Sequence, residues 1–177
     1  MHLLEGMDKK AKAATFLFLV GLLTLAAPAV VARSHQQRAG TLSGTVTGAT
    51  ARMDGGMNAF VNGTYRIAFT GVLDGSCSGT VHVAVRLSTG SSDFQGSCLF
   101  TGSATVGGVT RAGSAMISFR GKGNALELAS LAGTVGFVVN GVHGTGLAGF
   151  HGEGSATATG AEFAPFGGSY SMAARFA

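Results

Sequence analysis

The sequence contains no tryptophan, and only two prolines, two cysteines and two tyrosines among 177 residues. Charged residues make up 11% of it, about half the usual share. So few charges exclude a charged coiled coil. With 46% of residues hydrophobic, they also exclude ordinary disorder, which needs low hydrophobicity and high net charge. Collagen is excluded as well, because proline is scarce and glycine has no three-residue period. What the chain has in quantity is glycine, 30 residues, accompanied by alanine, serine and threonine.

The first thirty-odd residues read as an export address. Lys9, Lys10 and Lys12 precede an apolar run over 15–25, which is followed by Ala26, Ala27 and the helix breaker Pro28. Val30-Val31-Ala32 then places small residues at a cleavage site. A basic start, an apolar middle and a small-residue end describe a secretory signal peptide. Cleavage is expected after Ala32, with Ala27-Pro28-Ala29 as a second site. Read as uncleaved, residues 13–32 are long enough to anchor in a bilayer. The chain thus divides into a signal over 1–32, a disordered N-terminal linker over 33–40 and a β-barrel domain over 41–177. The expected location is secreted or periplasmic, with membrane contact only through the signal segment.

Beyond the signal there are nine basic and six acidic residues, a net charge of +3. The bases stand singly. A nucleic-acid surface needs them clustered to displace counterions, so no nucleic-acid partner is expected.

From position 41 onward the pattern alternates. Val81, Val83, Val85 and Leu87 interleave with His82, Ala84 and Arg86. Tyr65, Ile67 and Phe69 alternate with Arg66, Ala68 and Thr70. Phe94, Cys98 and Phe100 share one parity, as do Ala115, Ile117 and Phe119, and near the end Tyr170, Met172, Ala174 and Phe176. Period two sends apolar side chains to one face of a strand and polar ones to the other. The expected strands are roughly 41–48, 57–73, 78–88, 93–106, 112–121, 125–139, 144–159 and 168–176. Only the residues 125–132 are helix-prone, for about two turns. Asn62-Gly63, Asp74-Gly75 and Asn140-Gly141 are expected as tight hairpin turns, and Gly55-Gly56, Gly107-Gly108 and Gly167-Gly168 as looser ones. Many short strands joined by glycine turns predict an all-β fold: a single antiparallel closed β-barrel of about eight strands after the N-terminal signal helix. Glycine inside the strands would permit sharp coiling and let a narrow barrel close.

Few residues suggest chemistry. Gly144-Thr-Gly146-Leu-Ala-Gly149 spells a dinucleotide fingerprint, but strand-like sequence follows it where a helix must begin, so it reads as a glycine-rich turn. His143, His151 and Glu153 lie close together, and His151 and Glu153 share a strand face. A metal site would need a third ligand such as His82 or Asp93, and a solvated rim is the plainer reading. No metal, cofactor or catalytic residue is assigned. Cys77 and Cys98 form an even pair that an oxidising compartment would join, or two buried thiols. On the expected hairpin their register is offset by several residues, so joining them calls for a bulge or a loop excursion. Asn62-Gly63-Thr64 is also a glycosylation sequon, which the turn explains equally well.

The missing tryptophan rules out a match to lipocalin-like or avidin-like barrels. A small outer-membrane barrel would wear aromatic girdles at both interfaces, for which two tyrosines are too few. The segment Gly144-Thr-Gly-Leu-Ala-Gly-Phe-His-Gly-Glu-Gly-Ser-Ala-Thr, followed by Gly167-Gly-Ser-Tyr-Ser-Met, resembles the closing stretch of bacterial allene-oxide-cyclase-like, calycin-like β-barrels. The likeness spans 144–176. It implies an eight-stranded antiparallel barrel with a small cavity, and it carries over no catalytic residue.

These readings lead to a β-barrel of unassigned activity that acts without enzymatic turnover; if it binds a partner, a small apolar ligand at the barrel mouth fits. Candidate lining residues are Tyr65, Phe69, Phe94, Phe100, Phe119 and Tyr170, which could equally fill a closed core. The alternatives are a cyclase or isomerase on the same barrel, a small outer-membrane barrel, and a surface-interaction protein with exposed edges or loops.

Overall fold

The computed structural model describes residues 37–124, 131–160 and 165–177. The signal segment at 1–32 lies outside these residues, as does most of the helix-prone piece at 125–132. Eight strands follow in order: β1 Arg38–Asp54, β2 Asn58–Thr70, β3 Leu73–Arg86, β4 Ser91–Val106, β5 Val109–Asn124, β6 Leu131–Gly141, β7 Phe150–Gly160 and β8 Phe166–Phe176. Each pairs antiparallel with the next, and β8 returns to pair with β1, which closes the barrel. The all-β closed barrel expected from the alternation is the fold observed.

Alternation puts the apolar residues inside. In β3, Cys77, Val81, Val83 and Val85 face the axis while Ser78, Thr80, His82 and Arg86 face water. The interior is packed with rings. Phe69 meets Phe100 edge to face at 6.0 Å and Tyr170 at 5.7 Å, and Phe137 meets Tyr170 at 6.1 Å. Phe100, Leu73, Met172, Val139 and Cys77 are fully buried among them.

The glycines make this packing possible. Register sets inward rings directly across from inward glycines: Tyr65 opposite Gly79, Phe69 opposite Gly75, Phe94 opposite Gly121, Phe119 opposite Gly96, Phe137 opposite Gly154, Phe166 opposite Gly44 and Tyr170 opposite Gly40. At Gly40, Gly44, Gly96 and Gly121 the ring leans over the bare backbone of its partner; a Cβ added at Gly121 would stand 2.5 Å from Phe94 Cζ. Aromatic cover of a glycine compensates for the side chain that strand position lacks. Glycine here sets interior volume as well as curvature.

Turn chemistry divides the expected hairpins. Gly107 and Gly108 both have positive φ, 61° and 82°, in the two-residue turn between Val106 and Val109. Gly55 and Gly56, also at positive φ, turn the chain between β1 and β2 in a three-residue loop completed by Met57. By contrast, Asn62-Gly63, Asp74-Gly75 and Gly167-Gly168 lie inside β2, β3 and β8, and Asn140-Gly141 ends β6. Those doublets are ladder positions, not turns. Gly63, Gly75, Gly141 and Gly168 are needed for room, a Cβ at Gly63 meeting Val81 at 3.2 Å, whereas Gly167 has nothing nearer than the Leu42 carbonyl at 3.8 Å.

Two boundaries also differ. β1 starts at Arg38, ahead of the expected 41, and runs on to Asp54. The expected strand over 144–159 begins only at Phe150. Residues 142–149 form a loop with Gly144 and Gly149 at positive φ, and it packs the buried Leu147 against Gly113 and Gly141. Thr145 Oγ1 fastens this loop. It donates to the Val142 carbonyl at 2.8 Å and accepts from the amides of Ser114 and Leu147 at 3.3 Å.

Cys77 and Cys98 are joined in a disulfide inside the barrel, with their Cα atoms 5.6 Å apart. Cys98 pairs in register with Gly79, two residues from Cys77 and on the same inward face. The bond therefore runs diagonally across β3 and β4. The offset is two residues rather than several and needs no bulge or loop excursion, because β4 starts at Ser91 and the hairpin tip is short.

Candidate functional site

The two ends of the barrel are built differently. β8 pairs with β1 only as far as Gly44, whereas β1 and β2 stay paired out to Asp54 and Asn58. Beyond Gly44 the first strand has left the ring. With β2, β3 and β4 it continues as a lip along one side of the opening. The inner face of this lip is apolar. Val61, Val83, Val85 and Phe94 face the axis and stay half-buried, and Met53 near the tip is 74% exposed. Phe119, Val135 and Phe166 form the next half-buried layer, packed against the core below.

Tyr65 is buried at this level and stands edge-on to Phe119 at 5.7 Å. Its hydroxyl is out of contact with solvent and has no hydrogen-bond partner among the described residues. Burial pushes its pKa well above the ordinary tyrosine value. The other tyrosine is the opposite case. Tyr170 accepts from the Leu73 amide at 2.9 Å and donates to the Thr70 carbonyl at 3.2 Å, tying β8 to the β2–β3 turn. Its pKa is also raised, first by burial and then by the Asp74 carboxylate, although hydrogen bonding with the Leu73 and Val72 backbone acts in the opposite direction.

The six residues expected to line a ligand site all face the interior, but in two groups. Phe69, Phe100 and Tyr170 interlock in the packed core, while Tyr65, Phe94 and Phe119 lie toward the lipped end. Val61, Val83, Val85 and Phe166 complete the lining. Alternation marks the valines as inward, but no single strand reveals that their ends outrun the ring.

His82 and His151 lie on the outer wall. Asn62 pairs across the ladder with His82, and His82 Nδ1 donates to Asn62 Oδ1 at 2.6 Å. Both ring nitrogens of His151 face oxygens, Asn140 Oδ1 at 2.8 Å and Glu153 Oε1 at 3.0 Å. His143 is exposed in the loop before β7. No group of three metal-ligating side chains occurs among the described residues. A shallow groove of about 520 Å³ crosses this wall beside Gln95, Ser118 and Arg120, where Gly136 leaves the surface bare. Register aligns Asn62, His82, Gln95 and Arg120 in one outward row and Thr64, Thr80, Ser97 and Ser118 in the next. An outer-membrane barrel needs an apolar band where these polar rows stand.

The fold is a closed, eight-stranded, up-and-down β-barrel with a packed core and, among the described residues, an apolar lip at one end. No protein-family profile and no curated protein sequence matches the chain. Among solved structures, it is similar to a protein of unknown function from the DUF3224 family of Shewanella oneidensis MR-1. The TM-score is 0.55 at 16% identity, over 80% of this chain and 96% of that one. That likeness shows a shared fold.

Proposed function

We propose that the protein is an exported binding barrel that holds a small apolar molecule in its lipped mouth, without turnover. The observation that carries this reading is the inward set Val61, Val83, Val85 and Phe94, which remains half-exposed although it faces the barrel axis. Concave apolar surface rimmed by polar strands is the ordinary form of a small-molecule site. Binding suits the lining better than catalysis. The described acids, Asp54, Asp74, Asp93 and Glu153, are all solvent-exposed on alternate positions away from the axis, so none serves as a base for the cyclase chemistry of allene-oxide-cyclase-like barrels. Export is supported by the signal-like first 32 residues and by the disulfide, which belongs to oxidising compartments.

The test is fluorescence titration of the purified, oxidised protein with N-phenyl-1-naphthylamine. Saturable enhancement is expected, and Val83→Glu should abolish it by placing a charge on the lip. A linear, unsaturable response would overturn the reading. N-terminal sequencing of protein recovered outside the cytoplasm should begin at Arg33.

A further inference from the structure

The two tyrosines pose a question that packing alone does not answer. Tyr170 uses its hydroxyl to tie β8 to the β2–β3 turn. Tyr65 buries an equivalent hydroxyl and gives it nothing. Buried tyrosine hydroxyls normally find partners, and each exception calls for an explanation. Phenylalanine would fill the same space without the penalty of an unsatisfied donor. The inward neighbours of Tyr65 along and across the strands are Gly63, Ile67, Gly79 and Val46, none with a side-chain acceptor. The hydroxyl thus lies under an apolar mouth with a proton to donate.

We infer that the molecule held in the mouth carries a neutral hydrogen-bond acceptor, a ketone, aldehyde or ester carbonyl, and that Tyr65 donates to it. This rests on the mouth reading above. Three observations narrow the chemistry. The phenol stays protonated at ordinary pH, because burial disfavours its ionised form, so it acts as a donor. Among the described residues the inward-facing lining offers no cation for a carboxylate, and Arg52 near the lip lies on the outer face over the Phe60 ring. The ring beside Tyr65 is Phe119, half-buried and edge-on at 5.7 Å, packed over Gly96 with Phe137 across the ladder. A ligand reaches Tyr65 by displacing that ring.

The experiment uses the oxidised full-length protein and its Tyr65→Phe variant. Displacement of N-phenyl-1-naphthylamine is measured with 2-nonanone and with nonane, and thermal unfolding is measured without ligand. Tyr65→Phe should weaken 2-nonanone about fivefold and leave nonane unchanged. It should raise the Tm of the unliganded protein by about 3 °C, since it removes an unpaired buried hydroxyl. Equal ketone affinity in both proteins would overturn the inference and spare the mouth reading. A lower Tm for the variant would also overturn it, because the hydroxyl would then already be satisfied by a structural water. Failure of the wild type to bind N-phenyl-1-naphthylamine would remove the mouth reading and this inference together.

Discussion

Two mid-strand glycines one rung apart should respond oppositely to the same methyl group. Gly121 in β5 faces the interior, where a Cβ would stand 2.5 Å from Phe94 Cζ and 2.6 Å from the Thr134 carbonyl oxygen. The ring can swing, but the carbonyl belongs to the β5–β6 ladder and cannot move without its strand. Gly121→Ala should therefore cost about 2 kcal/mol, within the range for overpacked cores. At roughly 2.1 cal/mol/K of unfolding entropy per residue, that is a Tm lower by about 7 °C. Gly136 in β6 faces out, with nothing nearer a Cβ than the Arg120 carbonyl at 3.9 Å. Neither glycine has positive φ, so alanine fits both backbones. Gly136→Ala should stabilise by about 0.5–1 kcal/mol through the unfolded chain, raising the Tm by about 2 °C. Calorimetry on the two variants reads the difference. If both shift the same way, or Gly121→Ala is silent, glycine does not serve as the seat for the rings.

Other outcomes follow from single groups. Both tyrosine pKa values lie above the ordinary 10.0 in the folded protein, so the unfolded chain releases these protons first. Stability should be unaffected by them below pH 10 and fall above it, with phenolate absorbance at 295 nm appearing in one cooperative step with unfolding; gradual titration of the native protein would refute this. Breaking the Cys77–Cys98 bond, which spans 21 residues, should cost about 3 kcal/mol. Because both sulfurs are buried, mild reductant should leave the native protein oxidised, as thiol titration before and after denaturation would show. Tyr170→Phe leaves the buried Leu73 amide without its partner and should destabilise by about 1–3 kcal/mol in denaturant melts, the reverse of Tyr65→Phe. His151→Ala should change stability by less than about 1 kcal/mol, because its Glu153 partner is solvated.

The closed sheet was legible because alternation is a local property: Val81, Val83 and Val85 announce their face in any window of five residues. Gly107-Gly108 and Gly55-Gly56 were legible for the same reason, since each performs its role within its own turn. Asn62-Gly63 and Asn140-Gly141 misled because their partners lie on other strands. Asn62 answers His82 across the ladder, Asn140 answers His151, and the glycine beside each leaves room for a neighbour. The disulfide depended on one register, which the short β3–β4 tip fixes and the sequence pattern left loose. The six candidate lining residues face inward, as alternation implies, but their division between the core and the lipped end was hidden. That division arises where β1 parts from β8 at Gly44, and it depends on the stagger of eight strands rather than on any one of them.

The seam between β1 and β8 joins Gly40 to Tyr170, near opposite ends of the barrel sequence. A nascent chain can zip its hairpins one after another, yet nothing can shut the cylinder until the last strand arrives. Until then the sheet is an open ribbon with two bare edges and its rings uncovered. Assembly should accordingly wait on this single distant contact and run slowly for a protein of such size, in milliseconds or longer. A chain cut short before Phe166 should fail altogether rather than lose stability by degrees.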